Sequence, residues 1–148
     1  LAGHSDLTFV SAHLDTHGSL RVDQLHLRLG AGRAAQGRAL GEALKTVSGS
    51  VVLGADLNSM LGMTDPGVRA LIETGMHPTL RTGTWRHTFH TRLRLLLDHV
   101  MYRCPDKRIK HAEVVRLDEA RDDRSRRVFG SDHHPLLARL EVNPVTHG

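Results

Sequence analysis

Val51-Val52-Leu53-Gly54-Ala55-Asp56-Leu57-Asn58 is an apolar run that ends in an acid and an amide. Val51 to Gly54 shows no polar alternation, so it reads as a strand buried on both faces. Ser48-Gly49-Ser50 before it is a turn. Asp56 and Asn58 then fall where the strand meets a loop. Loops at strand ends of α/β proteins are common places for catalytic groups, because the scaffold is rigid and the loop is open. On an extended backbone the i, i+2 spacing puts both side chains on one side. One offers a charged oxygen and the other an amide donor. An Asx turn after the strand is the plain structural reading of the same pair.

Ser131-Asp132-His133-His134-Pro135 is a second stretch of this kind. It precedes an apolar run, Leu136 to Val142, that reads as the last strand. Pro135 restricts His134 to extended geometry. Asp132 and His133 can divide between metal and substrate, or Ser131 can simply cap a polar loop.

Between these stretches the chain alternates strands and helices. Leu7 to Leu14 reads as a strand ending near His13. Asp15 to Gly32 is a connection with a short helical turn around residues 23–29. Residues 33–46 form a helix with an apolar stripe of Ala35, Ala39, Leu40, Ala43 and Leu44. Gly37 and Gly41 weaken it and permit close packing on a sheet. Asp65 N-caps a second helix with Pro66 in its first turn. Val68, Leu71 and Ile72 are its buried face, and Gly75 ends it. Residues 77–92 read as loop. Leu95 to Tyr102 reads as a strand, 111–117 as another, and the charged run 118–130 as a solvated loop. The tail 143–148 is expected to fray. This order predicts a single α/β layered domain, not a bundle or a β-sandwich.

Asp98 sits among Leu95, Leu96, Leu97, Val100 and Met101. A carboxylate buried there without a partner would be costly. Either it points outward, or it accepts a hydrogen bond from an imidazole and fixes its tautomer. His13, at its own strand end, gains meaning only from such company.

The chain has 148 residues, a formal charge of +4, twelve histidines and one cysteine, Cys104. A basic balance suits anionic partners such as phosphate esters or nucleic acid, or is a solvated basic surface. One thiol cannot staple a fold or complete a zinc site. No apolar run approaches the ~20 residues that span a bilayer. No signal peptide is visible in residues 1–6, but the chain starts at Leu1 and its native N-terminus reads as absent, so the expectation is a cytoplasmic location with secretion left open.

In order, Ala12-His13-Leu14, Arg33-Ala34-Ala35-Gln36, Gly54-Ala55-Asp56-Leu57-Asn58, Thr88-Phe89 with Leu97-Asp98-His99-Val100, and Ser131-Asp132-His133-His134-Pro135 resemble the endonuclease/exonuclease/phosphatase superfamily of metal-dependent phosphoesterases. The resemblance runs over most of the chain. It implies a DNase I-like layered α/β sandwich and hydrolysis of phosphodiesters or phosphomonoesters with Mg²⁺ or Mn²⁺. Its partners would be a nucleic acid or a phospholipid headgroup. It implies that Asp56 orients or activates the attacking water and that Asn58 holds the scissile phosphate. His133 would be the catalytic histidine, oriented by Asp98, and His13 would contact the phosphate or assist the leaving group. Asp132, with Asp56 and Asn58, would hold the metal, and Arg33 and Gln36 would serve the scaffold. The water's proton can go to Asp56 or to His133.

The family also uses an acidic metal ligand from an N-terminal half, and nothing before Leu1 supplies one. The expectation is therefore a C-terminal portion of the domain, mainly one sheet with its helices, inactive or nearly so alone, with apolar surface left where the missing half would pack. Two other readings stand beside this one. The chain can be a basic binding module for phosphate-containing ligands without catalysis. Ser11-Ala12-His13-Leu14-Asp15-Thr16 is also similar to the His-x-Asp zinc stretch of dinuclear aminoacylases and peptidases, but their Glu-Glu pair is absent here.

Overall fold

The apolar run after Ser48 forms the central strand of a mixed sheet. A computed structural model describes residues 7–15, 31–89, 94–117 and 131–143. The expected turn around 23–29, the charged run 118–130 and most of the tail lie outside them. Strand β1 (Leu7–His13) runs parallel to β2 (Ser50–Asp56). On the other side of β2 lies antiparallel β5 (Asp98–Arg103), and β3 (His77–Pro78) pairs with the far edge of β5. A second sheet holds β4 (Leu80–Arg81), parallel to β6 (Ile109–Arg116), and β7 (Leu136–Val142), antiparallel to β6.

The chain thus builds two sheets, of four and three strands, where the sequence predicted mainly one. The second sheet exists because β6 pairs with β7 and not with β5, and the stretch read as loop adds to both sheets. Residues 77–81 supply a short strand to each sheet. Thr79, between them, donates its N–H (3.1 Å) and its hydroxyl (2.9 Å) to the Val100 carbonyl, pinning the crossing point. No alternating pattern marks so short a pair of strands.

Alternation along β2 separates two cores. Val51, Leu53 and Ala55 pack with Leu44 of α1 (Ala31–Lys45) and with Val68 and Leu71 of α2 (Pro66–Glu73). Val52 points the other way and packs with Val100, Tyr102, Ile109, Ala112 and Leu140. Helices therefore cover one face of the first sheet and the second sheet covers the other. The protein is a mixed α/β fold, as expected. Among the described residues no helix is long and apolar enough to cross a membrane.

The apolar stripe of α1 is not the one read from the sequence. Ala35, Ala39 and Ala43 are exposed, while Gly37, Gly41 and Leu44 are buried and Leu40 is half-buried. Helix α2 sets this face. A Cβ at Gly37 would overlap the Gly67 carbonyl oxygen, and one at Gly41 would overlap the Thr74 side chain. The glycines serve a helix–helix contact, not the sheet packing anticipated.

Helix α2 follows its signals. The Asp65 side chain accepts from the Gly67 N–H at 3.0 Å, Pro66 opens the first turn, and Gly75 follows the Thr74 cap at φ +95. Val68 and Leu71 are buried, but Ile72 is 39% exposed. The helix turns Val68 and Leu71 to the sheet and Gly67 and Thr74 to α1, which leaves Ile72 outside.

Candidate active site

Strand register places three of the candidate residues in one row. His13 is paired across the ladder with Asp56, and Asp56 with Asp98. Residues in one cross-strand row share a face, a few ångströms apart. This row lies on the face that Val52 and Val100 turn toward the second sheet, because all follow the same alternation.

Asp98 is the first residue of β5, not an acid in the middle of a strand. Leu95 to Leu97 stay out of the ladder because their backbone groups go elsewhere. The Leu97 and Asp98 N–H groups donate to the Thr88 hydroxyl at 3.0 and 2.9 Å. The Leu97 carbonyl accepts from Leu57, and the Leu95 carbonyl accepts from Thr88 and Phe89.

The Asp98 carboxylate meets an imidazole, as the second of its two readings required. His133 Nδ1 lies 2.8 Å from Asp98 Oδ2. An ionised carboxylate only accepts, so Nδ1 carries the proton and donates it to Asp98. His133 Nε2 then faces Asp56 Oδ2 at 3.8 Å as the basic nitrogen. Burial raises the Asp98 pKa above the ordinary carboxylate value, and hydrogen bonds from Thr88 and His133 oppose that rise. The Phe89 ring lies 5.0 Å from the His133 ring, and the Ser131 hydroxyl accepts from the His133 N–H at 3.0 Å. Ser131 thus has its predicted capping role within the same loop.

Asp56 is central. Its Oδ1 accepts from the Asn58 N–H at 2.9 Å, so the Asx turn and the site coexist. Its Oδ2 faces His13 Nε2 at 3.6 Å as well as His133. Asn58 adopts φ 47, a left-handed turn that Asn tolerates better than most residues. Its amide nitrogen donates to the Leu14 carbonyl at 2.6 Å and lies 3.1 Å from His13 Nε2. Both amide protons are engaged in this way. Asn58 is thus an amide donor, as read from the sequence, but to Leu14 and His13 within the chain, and its amide oxygen is the group left for other partners.

Asp132 is exposed, and the carboxylate and imidazole ligands that come within 4.8 Å of one another are those of Asp56, Asp98 and His133. Among the described residues Asp132 belongs to no such group. Asp15, of the His-x-Asp alternative, is exposed and joins none either; its N–H donates to Gln36 Oε1 at 3.1 Å. Arg33 forms a two-pronged ion pair with Asp65 (3.1 and 3.0 Å), the cap of α2. Gln36 and Arg33 thus tie α1 to the loop after β1 and to α2.

Sequence reasoning overlooked His99 and Ser59. His99 follows Asp98 on β5 and so points to the helix side, where burial lowers its pKa to about 4. Ser59 is buried and donates to the Leu96 carbonyl at 2.7 Å, so it accepts from His99 Nε2 at 2.6 Å. Strand alternation from Asp98 was the available signal for His99. Ser59 had none, being a small polar residue in a loop. No protein-family model matches the chain, and no curated protein matches it.

Proposed function

We propose that this chain carries the catalytic cluster of a metal-dependent phosphoesterase with a DNase I-like arrangement, acting by in-line attack of water on a phosphate ester. The observation that carries the reading is the convergence of His13, Asp56, Asn58, Asp98 and His133, drawn from four separate stretches of the chain, on one end of β2. Only the register of three strands and one loop unites them.

The donor set suits the chemistry. Asp98 holds His133 with its proton on Nδ1, leaving Nε2 to take a proton from water or give one to a leaving oxygen. Asp56, 3.8 Å away, offers the other acceptor for that proton. His13 has a side chain 70% exposed, which lets it reach a phosphoryl oxygen or the leaving group. The Asp56 carboxylate and the Asn58 amide oxygen are hard donors of the type Mg²⁺ and Mn²⁺ prefer. When bound there, such an ion would neutralise charge on the phosphoryl oxygens. The +4 charge favours an anionic substrate such as a nucleic acid or a phospholipid headgroup.

Binding tests the proposal without depending on turnover. Mn²⁺ is titrated into the chain while the histidine ring signals are followed by NMR, and inorganic phosphate is then added. The expected result is early broadening of His13 and His133, a further response to phosphate, and loss of both in Asp56→Asn. Uniform broadening of all histidines, or a response unchanged in Asp56→Asn, overturns the reading. Binding of phosphate or nucleic acid at a face remote from His133 favours the non-catalytic basic module instead.

A further inference from the structure

We propose that Thr88 is the positioning residue that holds Asp98 and His133 in register with each other. The functional meaning of that pair rests on the phosphoesterase reading, but the geometry stands by itself.

Thr88 is fully buried (0% exposed) in a stretch with no repeating pattern. Its hydroxyl accepts from two backbone donors, Leu97 N–H and Asp98 N–H. A hydroxyl has two acceptor lone pairs and one proton. With both lone pairs engaged, its proton is the one hydrogen-bonding group it has left to offer. One side chain thus fixes the backbone on both sides of the Leu97–Asp98 peptide, and with it the point from which the Asp98 carboxylate reaches His133. The other end of the residue fixes the histidine. The Thr88 carbonyl accepts from the His134 N–H at 2.7 Å, and Phe89 bridges to His133. Asp98 and His133 are 35 residues apart in the chain. Thr88 bonds to one and, through the adjacent backbone, to the other.

This explains the residue type. Valine has the same shape but would leave two backbone donors without their partner. Serine keeps the hydroxyl. The inference is therefore specific to the oxygen, not to the methyl.

The test reads the tautomer of His133, which a merely structural role would not change. Ring ¹⁵N shifts are recorded at alkaline pH, on the plateau where they no longer change with pH, for the unaltered chain, Thr88→Val and Thr88→Ser. The expected result is an Nδ1–H signature in the unaltered chain, loss of that signature in Thr88→Val and its return in Thr88→Ser. A Thr88→Val protein that folds and keeps the Nδ1–H signature overturns the proposal. If Thr88→Val does not fold, the Thr88 hydroxyl proton decides. A slowly exchanging signal close to the Asp98 amide is expected, and its absence overturns the proposal. Failure here leaves the Mn²⁺ and phosphate result untouched. Failure of that result leaves Thr88 as the positioning residue of an Asp–His pair with another use.

Discussion

Asp98 and His99 sit side by side on β5, point to opposite faces, and respond to acid in opposite senses. The Asp98 pKa is raised by burial, so the folded chain binds its proton more readily than the unfolded chain. Its contribution to stability is present below the ordinary value of 3.8 and is lost as pH rises through the raised value. At neutral pH the ionised Asp98 is therefore a cost, of the kind functional sites tolerate. Asp98→Asn is expected to raise the melting temperature at pH 7, with the gain gone near pH 3, and to release the His133 tautomer. Thermal melts across pH check the first part. His99 behaves in reverse. Its contribution is complete above 6.5 and is lost as pH falls to about 4. That shift corresponds to a loss on the order of 3 kcal/mol. Denaturant titrations at pH 7.5 and 4 should show it, and His99→Gln should remove most of that pH dependence. On the proposed phosphoesterase reading, His133→Gln is expected to lower such turnover as the chain supports, alone or within a longer protein, about 10²–10⁴-fold, the range for a general acid or base. Steady-state rates on an activated phosphodiester check it.

At the scale of elements, α1 and α2 meet through backbone, and this contact decides which substitutions the pair accepts. Alanine is a better helix former than glycine by about 1 kcal/mol. Gly37→Ala is nevertheless expected to destabilise the fold, by about 1–3 kcal/mol net, because its Cβ would strike the Gly67 carbonyl. Ala35 and Ala39, exposed on the same helix, should accept polar residues at little cost. Asp65 is fully buried, caps α2 and neutralises Arg33. Asp65→Ala removes the cap and leaves the Arg33 guanidinium, with its side chain 11% exposed, without this partner, for an expected loss of about 3–5 kcal/mol. Urea denaturation of the variants separates these outcomes. Legibility differed sharply between the two helices. Asp65, Pro66 and Gly75 announced α2 because capping is a local interaction between near neighbours. The face of α1 was misread because glycine scores as weakly apolar, while its worth here is the room it leaves for another helix.

At the scale of the molecule, β2 is central in every sense. It is flanked by β1 and β5, covered by helices on one face and by the second sheet on the other. Backbone amides of Val51 to Ala55 should therefore exchange only on global unfolding, while β3 and β4 open locally. Hydrogen exchange followed by NMR or mass spectrometry checks that order; early exchange in β2 would contradict the layered core. The site takes its rigidity from this arrangement. His13, Asp56 and Asp98 each end or begin a strand that is held along its length, so the row is set before any ligand arrives. Phe9, 68% exposed on β1 at the sheet edge, is an apolar group this layering leaves in solvent.

The family resemblance named the set His13, Asp56, Asn58, Asp98 and His133; the sequence by itself determined the alternation of elements, the strand carrying Asp56, the signals that bound α2 and the place of Asp98. All of these are properties of near neighbours: a buried run, a cap, an acid among leucines. Only the tertiary structure decided the rest. Two sheets formed because β5 pairs with β2 while β6 pairs with β7, a choice of distant partners with no local pattern. Asn58 turned its amide protons to Leu14 and His13 because those acceptors arrive from another strand. Asp132 stayed outside the cluster because the loop that carries it presents His133 instead. Thr88 acquired its place through hydrogen bonds to residues 9 and 10 positions away and, by its carbonyl, to the loop that carries His133. Partners of that kind are set by how the chain folds back on itself, so no window of sequence contains them.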